Sequence, residues 1–432
     1  MNPQSRLRVL VSAYATSPAS GGEAAVGWNI TRRLGLYHDV TVLHGKRDHN
    51  LRWGAEVAEY LEKQGPVPGV NYVAVEHPAY AGIYQWLHDA GFWAFYYFGY
   101  RAWQRAARKE ADRLHAHQPF DIIYQLNMIG YREPGYLWAM PAAFVWGPVG
   151  GASNLPWAYF GQLSVRGKCF YFMRNVVNRF QMWLGGRSRK AAQNAAHTWA
   201  VDASAVRMMA RWGAHPEAML ETGTARRDDA RIRERRVGEP LRICWSGNHI
   251  GLKCLPILLH ALARMESATR PQLTVLGDGV ESAGWKKLAD RLGLDGIDWT
   301  GRLPHDKALE RMTRADAFVF TSLQEGTPHV VLEALSMGIP VICHDACGMG
   351  TAVTDRCGIK IPLADFEGSV RGIQEALLIL HEDGELLHRL SKGALERAEE
   401  LSWDVLAKRI AQTLSQIAVV QQPSPGFERV AP

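Results

Sequence analysis

Residues 318–350, FVFTSLQEGTPHVVLEALSMGIPVICHDACGMG, decide the fold. FVFTS and IPVICHD are short apolar runs of the kind that form buried strands. The helix VVLEALSM lies between them and is punctuated at both ends. Thr327 suits the N-cap, Pro328 suits the first helical position, and Gly338 and Pro340 stop the helix. Strand, tight turn, helix and strand make one unit of a parallel sheet. The helix N-terminus aims unpaired N–H groups into the crevice at the strand ends, which makes an anion site.

Two carboxylates frame this crevice. Glu325 lies in the turn before the helix and Glu333 lies within it. A carboxylate beside a bound phosphate would repel it, so both are read as accepting hydrogen bonds from neutral hydroxyls, as on a sugar. The spacing alone also fits an ordinary strand–helix–strand unit with two surface glutamates.

The pattern Glu325, seven residues, Glu333, with Gly326 after the first glutamate and SMGIPVI at the end, resembles the E-x7-E signature of retaining nucleotide-sugar glycosyltransferases. That family, the group 1 or family 4 type, has the α/β GT-B fold, two Rossmann-like domains with the active site in the cleft between them. The resemblance implies that Glu333 holds the nucleotide ribose and that Glu325 sits by the transferred sugar. It also implies that the backbone amides of Gly326, Thr327, His329, Val330 and Val331 face sugar and phosphate, with Pro328, which has no N–H, among the binding residues.

The likeness extends along the chain. LRVLVSAY is a first strand, followed by Gly21-Gly22, where the family has a glycine pair against donor phosphate and acceptor. DIIYQLNM resembles the place where many members put a histidine near the sugar, and Asn127 is carried over as a polar group there. AFVWGPVGG is similar to a loop of members that build bacterial surface polysaccharide. SGNHIGLKC resembles the family's diphosphate loop, with Lys253 matching its lysine. Asn248 stands where its arginine is usual, so Arg302 in WTGRLPHDK is a candidate replacement cation. MLETGTARRD resembles the hinge-side loop, with Thr222 in place of the usual asparagine.

A chain of 432 residues suits two domains of roughly 200 residues each. We expect an acceptor-side domain over 1–235 and a nucleotide-sugar domain over 236–401. A helix over 402–420 would cross back to the first domain, and 421–432 would be a disordered tail. Six cysteines without a C-x-x-C pair fit a reduced cytoplasmic setting. The N-terminus runs into a strand, so no leader is expected, and no apolar run reaches the ~18 residues that span a bilayer.

Charge is uneven. Residues 155–236 hold fifteen Lys or Arg against six Asp or Glu, within a chain whose net charge is +6. No nucleic-acid-binding signature accompanies the patch, so no nucleic acid partner is expected. Two segments, 83–117 and 155–190, combine aromatic rings with basic residues. Each reads either as a core helix or as a helix at a membrane interface, with rings such as Trp93, Phe95 and Trp157 at headgroup depth.

Together these readings imply a retaining hexosyltransferase that moves a hexose from a nucleotide-diphosphate sugar to a hydroxyl acceptor. The acceptor expected by resemblance is a lipid-linked, polyprenol-type saccharide in bacterial exopolysaccharide or cell-surface glycan synthesis. The enzyme would sit peripherally on the inner face of the cytoplasmic membrane. No cofactor is expected beyond the donor itself, and the absence of any Asp-x-Asp pair argues against a metal in the reaction. The rivals are a nucleotide-sugar 2-epimerase on the same fold and a degenerate, non-catalytic sugar-nucleotide-binding module.

Overall fold

The computed structural model describes residues 6–46, 52–92, 95–235 and 239–421. Two parallel sheets follow one another along the chain. The first holds β1 (Arg8–Ala13), β2 (Asp39–Gly45), β3 (Val70–Val75), β4 (Ile122–Asn127), β5 (Ala143–Val149), β6 (Ala195–Ala200) and β7 (Pro216–Ala218). The second holds β8 (Arg242–Ser246), β9 (Gln272–Leu276), β10 (Asp298–Gly301), β11 (Ala317–Phe320), β12 (Val341–His344) and β13 (Gly358–Ile361). Their orders are β3-β2-β1-β4-β5-β6-β7 and β10-β9-β8-β11-β12-β13. The strands β4, β5, β11 and β12 are buried at every residue. That is what a parallel sheet needs when helices cover both of its faces. The two Rossmann-like α/β domains are therefore present, and each sheet has a switch point, at β1/β4 and at β8/β11. Crevices for ligands open beyond the strand ends at such points.

The helix Trp403–Gln421 returns to the first domain. Leu406, Ile410, Ala411 and Leu414 join the core of Val9, Val26, Ile30 and Leu34. Its approach runs beside the outgoing chain, where the Thr224 amide donates to Leu401 O at 2.9 Å and the Trp403 amide donates to Thr224 O at 3.2 Å. Of the tail expected over 421–432, Gln421 ends this helix and the rest lies outside the described residues.

Several elements differ from expectation. The helix read over 83–117 is two helices, Gly82–Asp89 and Phe95–His117. Gly91, at φ 97°, reverses the chain between them, a conformation that glycine adopts without steric cost. Trp93 lies outside the described residues. The helix of the deciding stretch begins at His329, with Pro328 at the N-cap and no side-chain cap. Thr327 does not cap it, because its hydroxyl donates to Glu221 instead.

The largest difference concerns the segment after β5. Leu155, Tyr159 and Leu163 are buried in the core of the second domain, with Leu241, Ile243, Trp245 and Leu258. The Tyr159 hydroxyl bonds Asp365 O at 2.9 Å and Ser369 Oγ at 2.6 Å. This part of the 155–190 segment is a plug from one domain set into the other. The Val165–Leu184 helix follows it directly.

Candidate active site

The switch point of the second sheet opens into a pocket of about 480 Å³, lined by Asn248, Lys253, Arg302, Glu325, Thr327, Pro328, His329 and Val330 among others. Its floor is backbone on backbone. Gly277 has φ 114°, and a Cβ there would lie 2.1 Å from Gly247 O, so a side chain would push the loops after β8 and β9 apart.

Buried threonine chemistry holds the lysine in place. Lys253 sits in the short 3-10 turn Gly251–Lys253 after β8. The Thr321 hydroxyl, at the end of β11, donates to Lys253 O at 2.7 Å and accepts from Trp245 Nε1 at 2.8 Å. The Leu323 amide donates to Leu252 O at 2.9 Å, so the two strand-end loops form one unit. From this base the ammonium reaches back to an ion pair with Glu325 and stands 4.9 Å from the centre of the Phe320 ring. The Glu325 carbonyl accepts from the Gly348 amide at 2.9 Å, which fixes the turn from below.

Of the residues singled out from sequence, eight therefore converge on this pocket. Arg302 lines it together with Asn248 and is exposed there, so a cation stands near the position where the family's arginine is replaced. Glu333 lies at the rim, 3.5 Å from His305 Nε2. Burial raises its carboxyl above the usual range, with His305 and Arg227 pulling the other way. Gly326 stays half-buried in the turn.

Others sit elsewhere. Val331 is fully buried in the core behind the helix. Its amide is bonded to Pro328 O at 3.0 Å and that of His329 to Thr327 O at 2.9 Å, so these two N–H groups serve the turn itself. Gly21 and Gly22 are exposed on the first domain, and a Cβ at either would meet nothing within 4 Å. Asn127 is fully buried. Its Nδ2 donates to Ala15 O at 2.8 Å and to Glu23 O at 3.2 Å, while its Oδ1 accepts from the Ala15 amide at 3.4 Å. It braces the loop after β1, so its side chain is already committed, contrary to the expectation of a polar group near a sugar.

Sequence reading passed over His305, Phe320 and Glu221. His305 was within reach, three residues after Arg302 in a quoted motif. Glu221 could be found only through the fold, because its partners come from both domains. It is 4% exposed, and its Oε1 accepts from Thr327 while its Oε2 is buried without a partner. Burial and the neighbouring Glu23 carboxylate hold it well above its usual range. Burial lifts Glu23 itself from 4.5 to about 7, against the Ile129 amide. Beside them Thr222 Oγ1 meets His329 Nδ1 at 3.3 Å. Gln324 closes the cleft further along, donating from Nε2 to Ser153 O at 2.6 Å. Among the described residues no group of three or more His, Cys, Asp or Glu is arranged to hold a metal.

Residues 227–397 match the family model described as Glycosyl transferases group 1. A D-inositol 3-phosphate glycosyltransferase of Streptomyces bingchenggensis (strain BCW-1) is 30% identical over 231 residues, 48% of this chain and 50% of that protein. A GDP-mannose-dependent monoacylated alpha-(1-6)-phosphatidylinositol monomannoside mannosyltransferase of Corynebacterium glutamicum is 28% identical over 159 residues, 34% of this chain and 40% of that protein. The matches thus span half or less of these curated relatives. Among solved structures, the apo lipopolysaccharide outer core galactosyltransferase WaaB superposes with a TM-score of 0.65 at 14% identity, covering 96% of this chain and all of that one. By sequence in its second domain and by fold along its length, the chain is related to the group 1 glycosyltransferases and has the GT-B fold.

Proposed function

We propose that the protein is a retaining hexosyltransferase that uses a nucleotide-diphosphate sugar and needs no metal ion. The observation that carries this reading is the convergence of Lys253, Asn248, Arg302 and the Glu325 turn on one pocket, inside the stretch that matches the glycosyltransferase family. In this reading the donor sits on the domain over 236–401 and the acceptor enters from the domain over 1–235. Lys253, Arg302 and Asn248 hold the diphosphate, Glu333 the ribose, and Glu325 the sugar.

As the bond from C1 to the phosphate oxygen breaks, its electrons stay on that oxygen. Lys253 and the start of the His329–Ser336 helix stabilise the charge there. The acceptor oxygen bonds to C1 on the face that the phosphate leaves, and its proton passes to the departing phosphate. Configuration is retained and no separate base is used.

The acceptor in this reading is a lipid-linked saccharide of a bacterial surface glycan, met at the inner face of the cytoplasmic membrane by a peripherally bound enzyme. The lipid and lipopolysaccharide names of the relatives above support it, as do the exposed rings of the first domain. Among the described residues no helix is long and apolar enough to cross a membrane. The test is a thermal-shift screen of UDP-, GDP- and ADP-sugars, followed by transfer assays with each donor that binds. No binding and no turnover of any nucleotide sugar by the folded protein would sink the reading.

A further inference from the structure

The Val165–Leu184 helix is built inside out. Its buried residues are two asparagines, Asn175 and Asn178. Asn175 bonds both the amide and the carbonyl of Leu155, at 3.1 and 2.8 Å. Asn178 accepts from the Tyr131 hydroxyl at 2.8 Å and from Arg132, and donates to Asn154 Oδ1 at 2.9 Å. The opposite face carries nine exposed large hydrophobic side chains, with Met173, Phe180 and Trp183 at 60, 57 and 71% exposure. At 3.6 residues per turn these nine fill roughly 160° of the helix circumference. A soluble helix shows the reverse arrangement, so this face belongs against something apolar.

Charge identifies what covers it. The sequence has no acidic residue between Glu133 and Asp202, while Arg166, Lys168, Arg179, Arg189 and Lys190 are exposed on or just after the helix. A second copy of the same strip would set cation against cation. An anionic bilayer satisfies both the rings and the charges. The other aromatic region is less basic on balance: in the Phe95–His117 helix Arg101, Arg108 and Arg113 are each paired with a carboxylate, Glu133, Asp112 and Glu110, which leaves Arg105, over the Tyr136 ring, and Lys109 exposed.

We propose that the Val165–Leu184 helix is an in-plane membrane helix, the element that inserts into anionic lipid, and that its polar back carries the cleft. That back is already in contact with the candidate site. Arg174 Nη1 donates to Gln324 Oε1 at 2.8 Å, and Gln324 directly precedes Glu325. With the helix in the interface, the reaction centre lies on the order of one helix diameter, ~10 Å, above the lipid. A lipid-borne acceptor then reaches the cleft without leaving the bilayer. This last step rests on the glycosyltransferase reading, whereas the docking does not.

Vesicle co-sedimentation tests the docking. Wild-type protein is compared on phosphatidylcholine vesicles with and without roughly a third phosphatidylglycerol, at low and high salt. Phe180→Asp/Trp183→Asp replaces exposed side chains only, and Trp86→Asp/Phe92→Asp is the control in the other aromatic region. The expected result is binding that needs phosphatidylglycerol, weakens with salt, falls at least about tenfold in the first variant and stays within about twofold in the control. Lys168→Glu/Arg179→Glu, which leaves the apolar face intact, should also weaken binding. Equal binding by wild type and the first variant, or loss in the control alone, overturns the assignment to this helix. A wild-type dimer that this variant makes monomeric, without vesicle binding, assigns the face to a second copy and overturns it too. Nucleotide-sugar turnover with a soluble acceptor is unaffected by any of these outcomes and judges the enzymatic reading separately.

Discussion

Lys253 and Glu325, from the loops that follow β8 and β11, form an ion pair across the floor of the candidate donor pocket. The two groups answer each other's charge, so a diphosphate that draws the ammonium away leaves Glu325 free to accept from a sugar hydroxyl. In the function proposed above, donor binding and sugar recognition would thereby be linked in one exchange of partners.

That exchange separates two variants. Lys253→Ala should weaken nucleotide-sugar binding or rate by at least about tenfold, near 1.4 kcal/mol, and Glu333→Ala should do the same. Glu325→Gln should keep nucleotide affinity, since it releases the lysine, yet slow transfer by a similar factor. Titration calorimetry with the nucleotide, alongside initial rates, distinguishes them. Wild-type values in folded Lys253→Ala and Glu333→Ala protein would remove the site assignment.

Asn127 should behave as a structural residue. Asn127→Ala removes the side-chain donor to the buried Ala15 carbonyl and to the partly buried Glu23 carbonyl, at a cost of about 1–3 kcal/mol in unfolding free energy. Urea denaturation measures it. An unchanged midpoint with a large loss of rate would instead return Asn127 to the reaction.

Glu23 and Glu221 give stability a pH dependence. Both carboxyls have folded pKa values above their unfolded ones, Glu23 at about 7 against an ordinary 4.5. Their contribution is complete below pH 4.5 and is lost as pH rises through the folded values, on the order of 3 kcal/mol for Glu23. Buried His44 and His344, lowered to about 4, act oppositely between 4 and 6.5. At pH 6.5 the imidazoles of the unfolded chain are still half-protonated, so these two and the other lowered histidines, His38, His197, His249, His260 and His329, oppose the fall, and the carboxyl contribution is read as the difference between wild type and a variant that lacks it. Glu23→Gln/Glu221→Gln should gain stability relative to wild type as pH rises from 4.5 to 8.5, and be the more stable protein at pH 8.5. Parallel slopes for both proteins would show that this seam does not titrate.

Transfer should keep the donor's anomeric configuration and should survive excess chelator. NMR of the new linkage, formed from an α-configured donor with EDTA present, reads both. A β-linked product would falsify the retaining mechanism, and complete inhibition by EDTA would restore a metal to the reaction.

The deciding stretch was legible because each of its signals is local. FVF and VICH are apolar enough to be central strands, and Gly338 ends the helix between them. Lys253, Glu325 and Arg302 were singled out through the resemblance, and the fold brings all three to one pocket because each follows the end of a strand, β8, β11 or β10. Thr327 misled because its hydroxyl is taken by Glu221, more than a hundred residues away in sequence. The Asn127 contacts were equally out of reach, since its partners sit on the loop after β1. Apolar periodicity in the Val165–Leu184 helix was visible, but periodicity does not say which face turns inward. Here asparagine bonds to the Leu155 backbone and to Tyr131 made that choice.

The plug of Leu155, Tyr159 and Leu163 sets a rule for how this chain is made and recombined. As synthesis proceeds, the first half emerges with three apolar side chains whose partners have not yet been translated. It completes its packing only when the β8 region arrives to receive them. A hybrid enzyme joined near residue 235, with a first half from elsewhere, would inherit a socket shaped for a foreign tyrosine. In this chain, then, the second sheet is complete only together with the 155–163 segment, a stopper borrowed from the other half.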